Sequence, residues 1–455
     1  MAEEAKRDRV ADEAARREAR HKRRIKAQVT AYIILVLIVA ALAGIGVGLV
    51  KALGSVGKGE EKVVENTPAP EENVIDNIIG QEEEIKEPVI EEPQGPTEEE
   101  LREQMLNEVV TAAVDAMSLE DKVAGLFFVS PEKVTNVSKA VRAGEMTKTA
   151  LQANPVGGLV YSENNIESET QLKEMIETTK GIVNYSTFIA FTETGDGEGT
   201  LTSAKLMDKT DSAFDIGTST DGSLGRQTGE LIGEKLAEYG ANVNFAPIAD
   251  IDGATGNVLE GKTFGASAGI VTPAVCGEIE GMLSKGVSPV VKYFPALSSA
   301  DADPAAGRAV SSETLESLRD TQFPVYVAAI DSGAGMIQIS TCIFEDMDED
   351  GYPATLSNNV VTGILRSELG FNGIVISGNL SDKAITEYYT ADQAAVLALR
   401  AGCDMLYMPE DYTKAYQGIL DAVSEGTISE ERINDALKRI YRVKYADRVG
   451  EQTEN

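Results

Sequence analysis

Apolar positions fall into two regimes along the chain. Residues 29–50 read Val-Thr-Ala-Tyr-Ile-Ile-Leu-Val-Leu-Ile-Val-Ala-Ala-Leu-Ala-Gly-Ile-Gly-Val-Gly-Leu-Val without one charge, a length that matches the ~20 apolar residues of a bilayer-spanning helix. From Glu98 a short helical lead-in gives way to apolar runs of strand length, at 125–129, 157–161, 187–192, 243–249, 289–294, 335–340, 373–377 and 404–408. Segments with helical spacing lie between them. This alternation predicts βα units joined into a parallel sheet. Periodicity alone leaves two arrangements open, a (β/α)8 TIM barrel and a doubly wound open sheet.

The flanks of the apolar segment give it a direction. Residues 1–28 are charged and end in Arg20, Lys22, Arg23, Arg24 and Lys26, and such a cluster stays on the cytoplasmic side. We therefore expect a cytoplasmic basic tail (1–28), a transmembrane helix acting as a signal-anchor (29–50), and everything after Lys51 outside the cell. A cleaved signal peptide is the competing reading, since Ala41-Leu42-Ala43 has the small-residue form of a cleavage site. Against it, the apolar stretch exceeds the usual ~7–15-residue signal core and continues past Ala43. Residues 51–100 are rich in Glu and Pro, cannot bury enough apolar area to fold, and read as a disordered, extended acidic linker. The barrel-sized domain is expected at 101–449.

Composition narrows the function. A net charge of −33 over 455 residues excludes a nucleic-acid partner of the ordinary kind, which needs clustered Lys and Arg. The three cysteines, Cys276, Cys342 and Cys403, are too scattered for a disulfide framework or a zinc site and read as buried thiols. No metal or other cofactor is implied. The glycine-rich Gly195-Asp196-Gly197-Glu198-Gly199 lacks the Gly-Lys-Ser/Thr ending of a phosphate loop and carries two acids that would repel phosphate.

Seven ordered motifs remain. They are Met117-Ser118-Leu119-Glu120-Asp121-Lys122-Val123 ahead of Gly125-Leu126-Phe127; Asn244-Phe245-Ala246-Pro247-Ile248-Ala249-Asp250; Lys262-Thr263-Phe264-Gly265; Lys292-Tyr293-Phe294-Pro295; Pro353-Ala354-Thr355-Leu356-Ser357; Leu369-Gly370-Phe371-Asn372-Gly373-Ile374-Val375-Ile376-Ser377; and Ala401-Gly402-Cys403-Asp404-Met405-Leu406. In that order they resemble the signatures of the glycoside hydrolase family 3 N-terminal domain, and in particular its β-N-acetylglucosaminidase (β-N-acetylhexosaminidase) branch. The resemblance implies the TIM barrel.

It also implies a site, and there the chain departs from the family. Retaining glycosidases need an attacking carboxylate and a proton donor flanking the bond. The family's nucleophile is an Asp directly after the strand-seven Ser, where this chain has Gly378, followed by the neutral Asn379. The branch's proton donor is a His on the loop after strand five, oriented by an Asp two residues earlier. Here Asp303 is retained, but Ala305 stands at the His position, and the chain's only histidine is His21. Family sugar contacts are altered too: an Asp has become Thr192, an Arg has become Lys262, and the His beside Lys292 has become Tyr293. Lys292 alone keeps its type, and Asp250 reads as a loop-fixing acceptor.

We therefore expect a catalytically degenerate pseudoenzyme with no intact catalytic residue. Its ligand candidates are Lys292, Tyr293, Lys262, Thr192, Asp250 and Asn379. The partner would be a cell-wall glycan, a muropeptide-like ligand or a protein at the cell surface. The alternative is an active β-N-acetylhexosaminidase-type glycosidase with relocated carboxylates, drawn from mouth acids such as Glu193 paired with Asp303 or Glu410. A third reading is an assembly module whose barrel top binds protein.

Overall fold

A computed structural model describes residues 97–253 and 256–450. The expected basic tail, the apolar segment and the linker up to residue 96 lie outside the described residues. Among the described residues, no helix is long and apolar enough to cross a membrane. The chain divides into two units, Met1–Ala116 and Met117–Asn455.

In the first unit, helix α1 (Glu98–Asp115) begins at a reciprocal cap. Glu100 N donates to Thr97 Oγ1 at 3.2 Å and Thr97 N donates to Glu100 Oε2 at 2.8 Å. Two otherwise orphaned N–H groups are thereby satisfied, and Glu98, Glu99 and Glu100 face the positive end of the helix dipole. The last three positions of the expected linker, 98–100, thus open this helix.

The second unit is built on strands β1 (Phe127–Val129), β2 (Gly158–Val160), β3 (Phe188–Phe191), β4 (Val243–Asn244), β5 (Ser288–Phe294), β7 (Met336–Ile339), β9 (Ile374–Ile376) and β10 (Leu406–Tyr407). They form one sheet in the order β10-β1-β2-β3-β4-β5-β7-β9, and every pairing in it is parallel. A parallel bridge between Ile376 and Met405 brings the two end strands together, so the sheet is a nearly closed barrel. Each expected strand is present, and all but β5, which gains Ser288, are trimmed. In the run expected at 243–249 only Val243–Asn244 is ladder, because Pro247 has no N–H to donate. The short pair β6 (Val310–Ser311) and β8 (Ile343–Phe344) forms a separate small sheet, which two-residue strands give periodicity no means to announce.

Aromatic rings fill the barrel. Phe128 stacks on Phe188 at 5.7 Å and meets Phe245 edge-on at 5.4 Å, and Phe245 meets Tyr407 at 4.8 Å. A Cβ at Gly158 would lie 2.0 Å from the Phe128 ring, so the β2 glycine makes room for this layer. Outside, helices α2 (Ser223–Glu238) and α3 (Ala268–Leu283) touch backbone to backbone: a Cβ at Gly229 would fall 2.3 Å from Glu278 O, and one at Gly281 2.4 Å from Arg226 O. At the start of β10 the buried Asp404 accepts from Val375 N and pairs with Arg366, Arg439 and Arg432. One carboxylate thus ties two helical segments, Asn359–Glu368 and Glu430–Gly450, to the sheet.

Candidate functional site at the barrel mouth

TIM-barrel sites form at the C-terminal ends of the strands. Strand β5 delivers the central residues through a register shift between Val291 and Phe294, an irregularity of the kind that re-aims side chains. Lys292 is only 4% exposed, and its ammonium lies 5.1 Å from the centre of the Tyr293 ring. Burial, with the nearby positive charge of Lys262, pushes its pKa down to about 8. Its backbone bonds to Pro247 and Ala249, but its ammonium makes no hydrogen bond or ion pair with a described residue.

Four of the expected site residues gather electrostatically. Burial raises the Tyr293 hydroxyl, and the charges of Asp250, Asp382, Lys262 and Asp303 all act on it. Asp196 acts on both Lys262 and Lys292. Lys262 pairs with Glu198 at 2.9 Å. Thr192 sits directly after β3, where its carbonyl accepts from Thr200 N and Oγ1 at 2.8 and 3.1 Å. That bond holds the loop 192–200 over the mouth.

Asp250 is fully buried and accepts from Tyr293 N at 2.9 Å, Ser298 N at 2.8 Å and Leu297 N. It clamps the β5 loop, the role the sequence assigned to it. Glu193, first choice for a relocated carboxylate, is a staple as well. Its oxygens accept from Gly195 N, Leu201 N, Thr202 N and Thr202 Oγ1 at 2.7–3.0 Å, in full burial. No lone pair of consequence is left for a substrate. Glu410 is exposed, and its carbonyl receives Lys133 Nζ at 3.1 Å.

Gly378 follows β9, with its N–H donated to Thr355 Oγ1 at 2.9 Å. A Cβ there would meet Thr341 Cγ2 at 2.5 Å and the Ile339 carbonyl oxygen at 2.8 Å. Any side chain would therefore have to displace the end of β7. Asn379 turns inward on its own loop, accepting from Ser381 N and Oγ at 3.1 and 2.8 Å. Asp303 and Ala305 are exposed on the loop after β5 and are joined to each other, Ala305 N to Asp303 Oδ1 at 2.9 Å.

Two mouth residues escape the sequence reading. Asp382 accepts from Thr341 Oγ1 at 2.8 Å, and burial together with the charge of Asp303 pushes its carboxyl up to about 6. Tyr407, at the end of β10, is raised by burial, and Tyr293 and Asp382 act on it. Tyr407 ends β10, the signal that could have found it, whereas Asp382 caps the helical turn Lys383–Thr386 beyond β9. Among the described residues no cluster of His, Cys, Asp and Glu could hold a metal ion.

The comparisons with known proteins agree with this architecture. A beta-hexosaminidase of Idiomarina loihiensis is 29% identical over 299 residues, covering 64% of this chain and 88% of that protein. One of Nitrosomonas eutropha is 26% identical over 274 residues, covering 59% and 77%. Among solved structures, a glycoside hydrolase family 3 beta-N-acetylglucosaminidase from Paenibacillus sp. str. FPU-7 superposes with a TM-score of 0.65 at 26% identity, over 73% of this chain and 63% of that one. The Glycosyl hydrolase family 3 N terminal domain itself matches residues 118–443. That span contains the whole eight-stranded sheet and every mouth residue described above, and on it the chain belongs to glycosyl hydrolase family 3.

Proposed function

We propose that this chain is a family 3 barrel that holds a cell-wall glycan or muropeptide-like ligand at its mouth without hydrolysing it. The observation that carries the reading is the packing around Gly378. The position where the family places its attacking carboxylate has no side chain, and Thr341 and the Ile339 carbonyl occupy the space one would need. Loss of a nucleophile removes the covalent route, and without the loop histidine, a proton-transfer contribution of ~10²–10⁴-fold goes with it. What persists is a binding surface: a buried lysine without a partner, two tyrosine rings and several hydrogen-bonding side chains. The apolar segment 29–50 would anchor the chain, with the linker holding the barrel outside the membrane.

A crystal soak with N-acetylglucosamine and muropeptide fragments tests it. Sugar density against Lys292 and Tyr293, with the glycosidic bond intact, is the expected result. An empty mouth at saturating ligand would contradict the reading.

One observation favours a second reading. Asp382, held up to about 6 beside Asp303, is an acid that keeps its proton near the pH where glycosidases work, next to a second carboxyl. A proton-holding carboxyl with a second carboxyl acting on it would offer the two groups a glycosidase needs. In that case the chain would be an active β-N-acetylhexosaminidase with relocated groups, as its relatives' names suggest. Turnover abolished by Asp382→Asn and Asp303→Asn would establish it.

A further inference from the structure

The glycine-rich turn at 195–199 carries two acids that repel phosphate, and the fold gives them another setting. Gly195 and Gly197 take φ values of 79° and 103°, a region open to glycine without a steric penalty. Between them Asp196 folds the turn onto itself, its Oδ1 accepting from Thr194 Oγ1 at 2.8 Å and from Glu198 N at 2.9 Å. Ser203 Oγ donates to Gly197 O at 3.2 Å. Glu198 is thus presented from a fixed turn, and its carboxylate meets Lys262 Nζ at 2.9 Å.

This pair joins two neighbouring mouth loops. The loop after β3 carries Glu198 and the loop after β4 carries Lys262, and those strands are paired in the sheet. Asn244, at the end of β4, ties the two roots together, accepting from Glu193 N and donating to Glu193 O, each at 2.9 Å. The β4 loop is closed at its base by Asp252 N donating to Gly265 O at 2.8 Å. Two residues earlier Asp250 holds Tyr293 N at 2.9 Å, so the loop that carries Lys262 is rooted beside Lys292 and Tyr293. Lys262 and Glu198 keep 41% and 68% of their side chains exposed. An exposed pair of this kind adds little to the stability of the fold.

We propose that the ion pair of Glu198 with Lys262 is a charge filter at the rim, which biases the mouth toward neutral glycans. The proposal rests on the glycan reading above and names the ligand class within it. A free ammonium at the rim would attract a carboxylate-bearing sugar. Here that ammonium is already occupied, so an acidic sugar has to displace Glu198 and meets a charge of its own sign in doing so. A neutral sugar meets neither obstacle. Discrimination arises from a group set against the wrong ligand as much as from contacts to the right one.

The test is ligand-observed NMR titration of the full chain in detergent with N-acetylglucosamine and with N-acetylmuramic acid, the same sugar bearing a carboxylate on a lactyl ether. Wild type should bind N-acetylglucosamine more tightly. In Glu198→Gln the ratio of the two dissociation constants should move toward the acid by about 3- to 5-fold, the scale of an exposed ion pair. That shift should shrink in about 1 M salt, where the screening length falls to ~3 Å, a dependence that a merely structural role of Glu198 would not produce. In a Lys262→Gln background the same change should have a smaller effect, because the ammonium it frees is gone. A ratio unmoved by Glu198→Gln would overturn the filter and leave the glycan reading standing, and a shift as large without Lys262 as with it would overturn the role of the pair. Wild type binding N-acetylmuramic acid more tightly would overturn the neutral class. Wild type that binds neither sugar at saturation would bring down the glycan reading and this inference together.

Discussion

Position 378 concentrates the chemistry of the molecule in one missing side chain. Restoring the family's carboxylate there is expected to fail on packing before it fails on mechanism. A Cβ 2.8 Å from the Ile339 carbonyl oxygen cannot be relieved by rotating a side chain, and overpacking of this kind costs typically ~1–3 kcal/mol. Gly378→Asp should show that loss in urea unfolding and no gain in hydrolysis. A variant of wild-type stability that cleaves substrate would refute the packing argument. Asp382 supplies a test through pH. Its folded-state value of about 6 lies above the ordinary 3.8, so the folded state binds the proton more tightly than the unfolded one. Its contribution is intact below about 4 and is lost as pH rises through about 6, by up to roughly 3 kcal/mol. Asp382→Asn should therefore gain stability on wild type as pH rises from 4 to 7. Parallel stability curves would mean that the carboxyl titrates normally. Asp382 was not legible in the sequence because its distinction is burial against Thr341 with the charge of Asp303 acting on it, relations that join residues far apart in the chain. Lys292, Tyr293 and Lys262 were legible because each sits inside a family motif. The staple made by Glu193 was misread for the opposite reason: an acid at a strand end looks alike whether its oxygens face a ligand or four N–H and O–H donors.

Helices α2 and α3 make a prediction at the scale of elements. Gly229→Ala places a methyl 2.3 Å from the Glu278 carbonyl oxygen and should cost about 2 kcal/mol by forcing the helices apart. Gly269→Ala, in the first turn of α3, meets nothing within 4 Å and should stabilise by about 0.5–1 kcal/mol, since alanine loses less conformational freedom on folding. Thermal melts of the two variants check the contrast, and equal shifts would contradict the backbone contact. All eight barrel strands could be located in the sequence because buried parallel strands are continuous apolar runs. Their ends could not, as the shortening of β4 at Pro247 shows, and β6 and β8 were too short to carry a period. The barrel itself, rather than an open sheet, was legible only through the ordered motifs. Closure depends on Ile376 meeting Met405, and no local pattern encodes that bridge.

For the whole molecule, the proposed topology follows from the basic cluster before residue 29 and the uncharged stretch 29–50. Protease treatment of intact cells should release a barrel fragment cut within 51–100, and protection until lysis would refute it. The net charge of −33 keeps copies of the chain apart by repulsion and disfavours recruitment to anionic surfaces. The central claim is that this family 3 barrel binds without cutting. Its most direct test is the hydrolysis of chromogenic N-acetylglucosaminide and glucoside by the purified full chain beside a heat-killed control. Equal rates are expected. Turnover above the control, abolished by Asp303→Asn, Asp382→Asn or Glu410→Gln, would contradict it and make the chain an enzyme with relocated carboxylates.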